Sequence, residues 1–329
     1  MRRREFIALL AGVAACSVVR PARANPRLRK IGILMGGAEH DLDWQRLEAA
    51  FEQEFKTLGW SLGRDIRIDY RWPGDDAERI NAMAIELVET GPEIIIAAAT
   101  YGVQAIRQRT ESIPIVFVDA ADPVGNGLVA NLYHPGGNIT GFAAADVAIA
   151  EKWLQIVKEL APHTSQIGII FNPDTAQLAK NFLKPLEATA RAQKVKLTSI
   201  PFKTDAEIEN AIEAFARAPN SALLTLPDSS TAFSRVTITE TANRRKLPAV
   251  YPFRFFAADG GLASYGADIA AQCRKAASYV DQVLRGKKVG DLPVQVATKF
   301  ELVVNAKTAK SLNIAVPPTL LARADEVIE

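Results

Sequence analysis

From residue 31 onward, short apolar runs and amphipathic stretches alternate almost without interruption. Ile31-Gly32-Ile33-Leu34-Met35 is an apolar run that ends in Gly36-Gly37. The next stretch sets Trp44, Leu47, Phe51, Phe55 and Leu58 on one helical face, and Gly59 follows as a natural stop. Ile66-Arg67-Ile68-Asp69-Tyr70 alternates as a strand does, and Ile80, Met83, Ala84, Leu87 and Val88 stripe a second helix. Residues 94–99 and 113–118 are apolar throughout, with a helix expected over 103–109 between them. Strands that are apolar on both faces imply a parallel sheet covered by helices on each side.

Between 119 and 141 the rhythm breaks into Asp122-Pro123-Val124-Gly125 and Pro135-Gly136-Gly137-Asn138, the latter read as a crossover turn near a hinge. The βα unit then restarts. Trp153, Leu154, Ile156, Val157 and Leu160 mark a helix, and 167–171, 195–200, 222–226 and 249–251 read as strands separated by helices over 176–192, 206–217 and about 232–245. Residues 260–266 form a short strand between glycines, 269–284 a helix and 294–304 extended chain. The pattern predicts an α/β fold of two Rossmann-like lobes with parallel sheets joined by a multi-strand hinge. The glycine-flanked pieces of the tail imply discontinuous lobes, one of 25–121 plus about 252–292, the other of about 122–251 plus about 293–329.

The first two dozen residues follow a different logic. Arg2, Arg3 and Arg4 precede an uncharged stretch of 14 residues from Phe6 to Val19, and Ala22-Arg23-Ala24 offers a small-x-small cleavage site. That is the pattern of a secretory signal peptide over 1–24, too short for a membrane span of about 20 residues. Arg3-Arg4-Glu5-Phe6-Ile7 also resembles a twin-arginine export signature, and Val13-Ala14-Ala15-Cys16 is a poor lipobox. This segment holds five arginines and one glutamate, so removing its +4 turns the whole-chain charge of +2 into −2. A weakly acidic mature chain has no basic patch to recruit nucleic acid. Cys273 is then its one cysteine and reads as a buried small hydrophobe beside Ala277, Val280 and Leu284.

Several motifs carry a family resemblance. Pro114-Ile115-Val116-Phe117-Val118, Asp122-Pro123-Val124-Gly125 and Pro135-Gly136-Gly137-Asn138-Ile139-Thr140-Gly141 occur in order. They are followed by Gly260-Gly261-Leu262-Ala263-Ser264-Tyr265-Gly266, Thr298-Lys299-Phe300-Glu301-Leu302-Val303-Val304-Asn305 and Ala322-Arg323-Ala324-Asp325-Glu326-Val327-Ile328. Together they resemble the ABC-importer substrate-binding family with a type I periplasmic-binding fold, which is itself similar to receptors for aromatic amino acids. The resemblance implies a periplasmic, monomeric receptor that holds a small-molecule ligand between its lobes and docks on an ABC permease in the inner membrane, with no cofactor.

In parallel α/β sheets, ligands sit beyond the carboxyl ends of the strands, where helix N-termini favour anions. Thr100 and Tyr101 follow a strand and open a helix, which suits an α-carboxylate and a stacking face; equally, Thr100 is a natural N-cap. Asp122 and Asp228 follow strands and are candidate partners for a ligand ammonium, although Asp-Pro also begins turns and Asp228 also suits a helix cap. Asn172, Tyr251 and Tyr265 are further polar candidates for the cleft rim, and Gly36 permits close approach to backbone.

The catalytic inventory is thin. His40, His134 and His163 are far apart, no G-x-S-x-G elbow or G-x-x-x-x-G-K-[ST] loop occurs, and no Cys/His/Asp/Glu cluster has metal-ligand spacing. These features point away from an enzyme. The expected function is therefore solute capture by hinge closure, the cargo being an amino acid or related carboxylate. A periplasmic ligand-sensing module for a membrane receptor or kinase is the alternative. A DNA-binding regulator is disfavoured, because only 25–30 would stand between the cleavage site and the first strand.

Overall fold

The computed structural model describes residues 28–329 apart from 75, 145–148 and 177–178. The expected export segment, including Cys16, lies outside the described residues. The first array comprises β1 (Arg29–Leu34), α1 (Leu42–Thr57), β2 (Ile66–Arg71), α2 (Ala77–Glu89), β3 (Ile94–Ala98), α3 (Ala99–Arg107), β4 (Ile115–Ala120) and β5 (Ile139–Ala143). The second begins with α4 (Ile149–Leu160), β6 (Gln166–Phe171), α5 (Ala179–Ala192), β7 (Lys196–Pro201), α6 (Asp205–Phe215) and β8 (Ser221–Thr225). It continues through α7 (Ser229–Phe233), α8 (Arg235–Arg244), β9 (Ala249–Tyr251), α9 (Arg254–Ala258) and β10 (Ala263–Ala267). The tail supplies α10 (Ile269–Leu284), β11 (Gln295–Val296), β12 (Phe300–Asn305), α11 (Ala306–Ser311), α12 (Pro318–Leu321) and β13 (Glu326–Ile328).

The α/β expectation holds, and the two arrays share one topology. The first sheet runs β11-β5-β4-β3-β1-β2 and the second β13-β12-β10-β9-β8-β6-β7. In each, the first strand lies between the second and the third, so the chain reverses its direction of travel across the sheet after the second strand. β10 and β12 are antiparallel; the remaining strand pairs run parallel. Successive residues point to opposite faces, as the period of two requires. Thus Ile94 and Ile96 pack with Phe51, Phe55 and Val280 under α1 and α10. Ile95 and Ala97 pack with Leu87 and Ile106 under α2 and α3. The second sheet is covered in the same way, by α4 and α5 on one face and by α6 and α8 on the other.

Sheet membership moves the expected lobe boundaries. Ile139–Ala143 belongs to the first sheet, because its apolar residues pair in parallel with β4 and are buried there. Pro135-Gly136-Gly137 therefore leads into the amino end of β5, where Gly136 donates to the Gly290 carbonyl, and is not beside the hinge. β10 lies in the second sheet and β11 in the first, so the expected extended stretch 294–304 splits between the two. Among the described residues the chain changes sheet three times: after β5, between β10 and α10, and between β11 and β12. The helix expected over about 232–245 is also two helices, broken at Ser234 with ψ near 15°.

Trp153 ties α4 to the second sheet. It is almost fully buried, stacks on Phe182 at 5.8 Å and donates from Nε1 to the Tyr265 carbonyl at 2.7 Å. Trp153→Ala should cost about 3–5 kcal/mol of stability, seen as a lower urea midpoint with an unchanged slope. A loss below about 1 kcal/mol would show that the site collapses without strain.

Candidate functional site

The carboxyl ends of the two parallel sheets face each other across a solvent-open cleft of about 920 Å³. Its walls come from loops that follow strands. Gly36 follows β1, Ala99 and Thr100 follow β3, and Asp119 and Ala121 lie at the end of β4; opposite them, Thr175 follows β6, Asp228 follows β8 and Phe253 follows β9. This is the crevice expected where strand order reverses.

On the first lobe, the N-terminus of α3 opens into the cleft. Its N-cap is Ala98, which has no side-chain oxygen to satisfy the first-turn amides. Those amides and the positive end of the helix dipole suit a carboxylate. Thr100 is not the cap. Its Oγ1 accepts from the Ala121 amide at 2.9 Å, which locks the α3 entry to the β4 exit and leaves the hydroxyl hydrogen for another acceptor. The backbone here is strained: Ala99 and Asp119, at the ends of neighbouring strands, adopt φ of 58° and 57°. Non-glycine residues hold such angles only where surrounding contacts enforce them, and such sites cluster where function needs fixed geometry.

The second lobe presents the opposite chemistry. Asp228 caps α7 in a reciprocal capping box, its Oδ1 accepting from the Thr231 amide at 3.0 Å and from the Thr175 hydroxyl at 2.9 Å. Its Oδ2 is buried and has no partner among the described residues. Burial pushes the carboxyl up to about 6, opposed by the Thr231 amide, the Thr175 hydroxyl and the weaker pull of the Asn172 and Ser230 amides. A buried acceptor without a donor destabilises the free protein and favours any ligand that brings one.

Aromatic rings complete the walls: Trp44, Tyr101, Phe182, Phe253 and Phe255. Trp44 sits in a seat made by two glycines. A Cβ on Gly37 would come within 2.1 Å of the indole Nε1, and one on Gly36 within 2.6 Å of the ring. Gly36 does line the cleft, but the glycine pair is needed chiefly to admit this indole.

Of the eight expected site residues, Gly36, Thr100, Tyr101 and Asp228 line the cleft. The other four are placed elsewhere. Asp122 is exposed and holds its own turn, Oδ1 accepting from the Gly125 amide at 2.8 Å. Asn172 is a layer deeper, donating to Ser230 Oγ at 3.1 Å and accepting from the Asp174 amide. Tyr251 is fully buried and stacked on Phe256 at 4.9 Å, a core residue and not a rim residue. Tyr265 packs on Phe300, away from the cleft lining. Unanticipated wall residues are Trp44, Asp119, Asn126, Thr175 and Phe182. Asp119 carried a signal, being a charge in an otherwise apolar strand; Trp44 and Phe182 read only as core positions of helices.

Ion pairs span the cleft mouth. Arg235 on the second lobe reaches Asp41 on the first at 2.6 Å while also pairing with Asp259, and Arg254 reaches Asp43 at 3.3 Å while held by Glu326. Asp41 and Asp43 both stand at the N-terminus of α1, which they complement electrostatically.

A family model described as ABC transporter substrate binding protein matches residues 39–328. The chain is 28% identical over 290 residues to a tyrosine-binding protein of Clostridioides difficile strain R20291, covering 88% of this chain and 82% of that one. Its structure is similar to a conserved domain protein of Vibrio cholerae O1 biovar El Tor strain N16961, at 29% identity and TM-score 0.81 over 92% of this chain and all of that one. It is also similar to an ABC domain from Streptococcus pneumoniae in complex with L-Trp, at 24% identity and TM-score 0.82 with the same coverage.

Burial pushes the Asp119 carboxyl from 3.8 up to about 7. The folded state thus binds this proton more tightly than the unfolded chain, and the stability this confers at low pH is lost as pH rises from about 4 to 7. Asp119→Asn should raise the stability of the free protein at pH 7.5 by about 1–3 kcal/mol, allowing for solvent reaching the group through the cleft, and by nothing at pH 4. Thermal melts at the two pH values measure this. An equal gain at both would assign it to something other than the charge.

Proposed function

Because the chain belongs to the ABC transporter substrate binding protein family, we propose that it is the extracytoplasmic solute receptor of an importer and captures a zwitterionic amino acid in the cleft. The observation that carries this is a complementary pair facing each other across one crevice. The uncapped N-terminus of α3 on one lobe suits the α-carboxylate, and the orphaned Oδ2 of Asp228 on the other suits the α-ammonium. The aromatic walls suit an apolar or aromatic side chain. The C. difficile relative is a tyrosine-binding protein, which supports the same cargo class. Export by the amino-terminal signal peptide places the protein in the periplasm, where it works as a monomer and delivers its cargo to an ABC permease in the inner membrane.

Binding is coupled to hinge closure. A ligand that contacts both walls binds only the closed arrangement well and shifts the population toward it. Arg235 with Asp41 and Arg254 with Asp43 act in the same direction, since each pair forms only when the lobes meet.

A thermal-shift panel of amino acids, other carboxylates, nucleosides and sugars tests the cargo class. Amino acids should raise the melting temperature, and Asp228→Asn should weaken the best of them by roughly 10–100-fold in calorimetry. A rise for nucleosides or sugars alone would end the amino-acid assignment. For closure, the double variant Arg235→Ala, Arg254→Ala should release ligand about 3–10-fold faster in stopped-flow measurements, with a smaller change in association. An unchanged release rate would remove these pairs from the closing mechanism.

A further inference from the structure

Behind the cleft, inside the first lobe, lies a second, much smaller hollow between the sheet and helices α1 and α10. Its walls are mostly apolar, with Ile33, Met35, Phe51, Ile96 and Val118 among them, and Glu48 and Tyr70, which hydrogen-bond to each other, also line it. Trp44, Asp119 and Ile269 line both this chamber and the cleft, so the two spaces meet at those three side chains. We propose that Asp119 and the chamber behind Trp44 form the side-chain subsite of the cleft, selecting ligands whose side chain is apolar or aromatic but carries one hydrogen-bond donor. The inference rests on the amino-acid assignment made above and specifies which amino acids that site prefers.

Asp119 is held for such a role. Its amide donates to Gln272 Oε1 at 3.0 Å, Gln272 Nε2 donates in turn to the Ala143 carbonyl, and its backbone is fixed at φ 57°. Among the described residues no donor or cation reaches its carboxylate, and burial is the one cause of its raised pKa. Arg274, the cation on α10 nearest Cys273, is paired with Asp268 and has no part in the Asp119 shift. The Cys273 thiol is itself pushed up to about 12 by burial and by Asp119, and Asp268 is paired with Lys299. A phenol O–H or indole N–H entering the chamber mouth would satisfy this carboxylate. A pure hydrocarbon side chain would leave it buried and unpaired. A site built around a polar group rejects the ligand that cannot pair it far more strongly than an apolar pocket rejects an extra group. The Gly36-Gly37 seat fixes Trp44 as the wall against which such a ring packs.

The left-handed backbone at Asp119 makes two variants informative. Glycine there removes the side chain without strain, and asparagine tolerates the angle while keeping an acceptor. Calorimetry with tyrosine, tryptophan, phenylalanine and leucine should show wild-type protein binding tyrosine or tryptophan about 10-fold or more tighter than phenylalanine. That gap should collapse in Asp119→Gly, with phenylalanine binding tightening as tyrosine and tryptophan lose their acceptor, and largely persist in Asp119→Asn. Equal wild-type affinity for tyrosine, tryptophan and phenylalanine, preference for leucine, a gap that survives in Asp119→Gly, or an equal loss for every ligand would each overturn the subsite while leaving the amino-acid assignment intact. Binding of none of the four, with a thermal shift from sugars or nucleosides instead, would overturn both.

Discussion

Parallel pairing delivers the carboxyl end of every strand, and the loop that follows it, to one edge of the sheet. Here two sheets of the same strand order present those edges to each other, and the remaining features of the site follow from that placement. Helix N-termini, with their unsatisfied amides, collect at the facing edges because each helix begins where its strand ends. The crevice between them is polar at the helix starts and apolar between them, before any particular side chain is considered.

The two lobes use the same scaffold in opposite electrostatic senses. At α3 the cap position is an alanine, so the first-turn amides keep their capacity for an anion; at α7 the cap is Asp228, which satisfies the amides and leaves one oxygen for a cation. Neither arrangement is the most stable choice for the free protein. A serine or aspartate at the α3 cap and a donor beside Asp228 would each stabilise it, as would relief of the left-handed backbone at Ala99 and Asp119. Asp228 Oδ2 and the left-handed Ala99 and Asp119 belong to the cleft, while Thr225, Tyr251 and Ser264 carry further buried hydroxyls without partners among the described residues in the core of the second lobe.

How far the site was legible in the sequence depended on the kind of signal. Thr100, Tyr101 and Asp228 could be found because their place follows from a local rule: they come directly after apolar strands. Tyr251 and Tyr265 obey nearly the same rule and lie elsewhere. Tyr251 is packed under Phe256 and Tyr265 against Phe300, contacts between elements distant in sequence or separated by a turn. Trp44 and Phe182 show the reverse case. An aromatic at a core-facing helix position looks the same whether the helix covers sheet or lines a crevice, and only the packing of the whole lobe separates the two.

The chain alone determined the alternation of strands and helices, the parallel character of the sheets and the presence of two arrays with crossings near the carboxyl end. Each of these is encoded by hydrophobic period and by glycine or proline punctuation over windows of a few residues. Tertiary structure decided which sheet received each short strand near a crossing, so that β5 joined the first sheet and β10 the second. It also decided which polar groups were left without partners, Asp228 Oδ2 in the cleft among them. Those outcomes depend on contacts between residues far apart in sequence, and a carboxylate's partners are absent from its local pattern until the fold brings them near or leaves them out of reach.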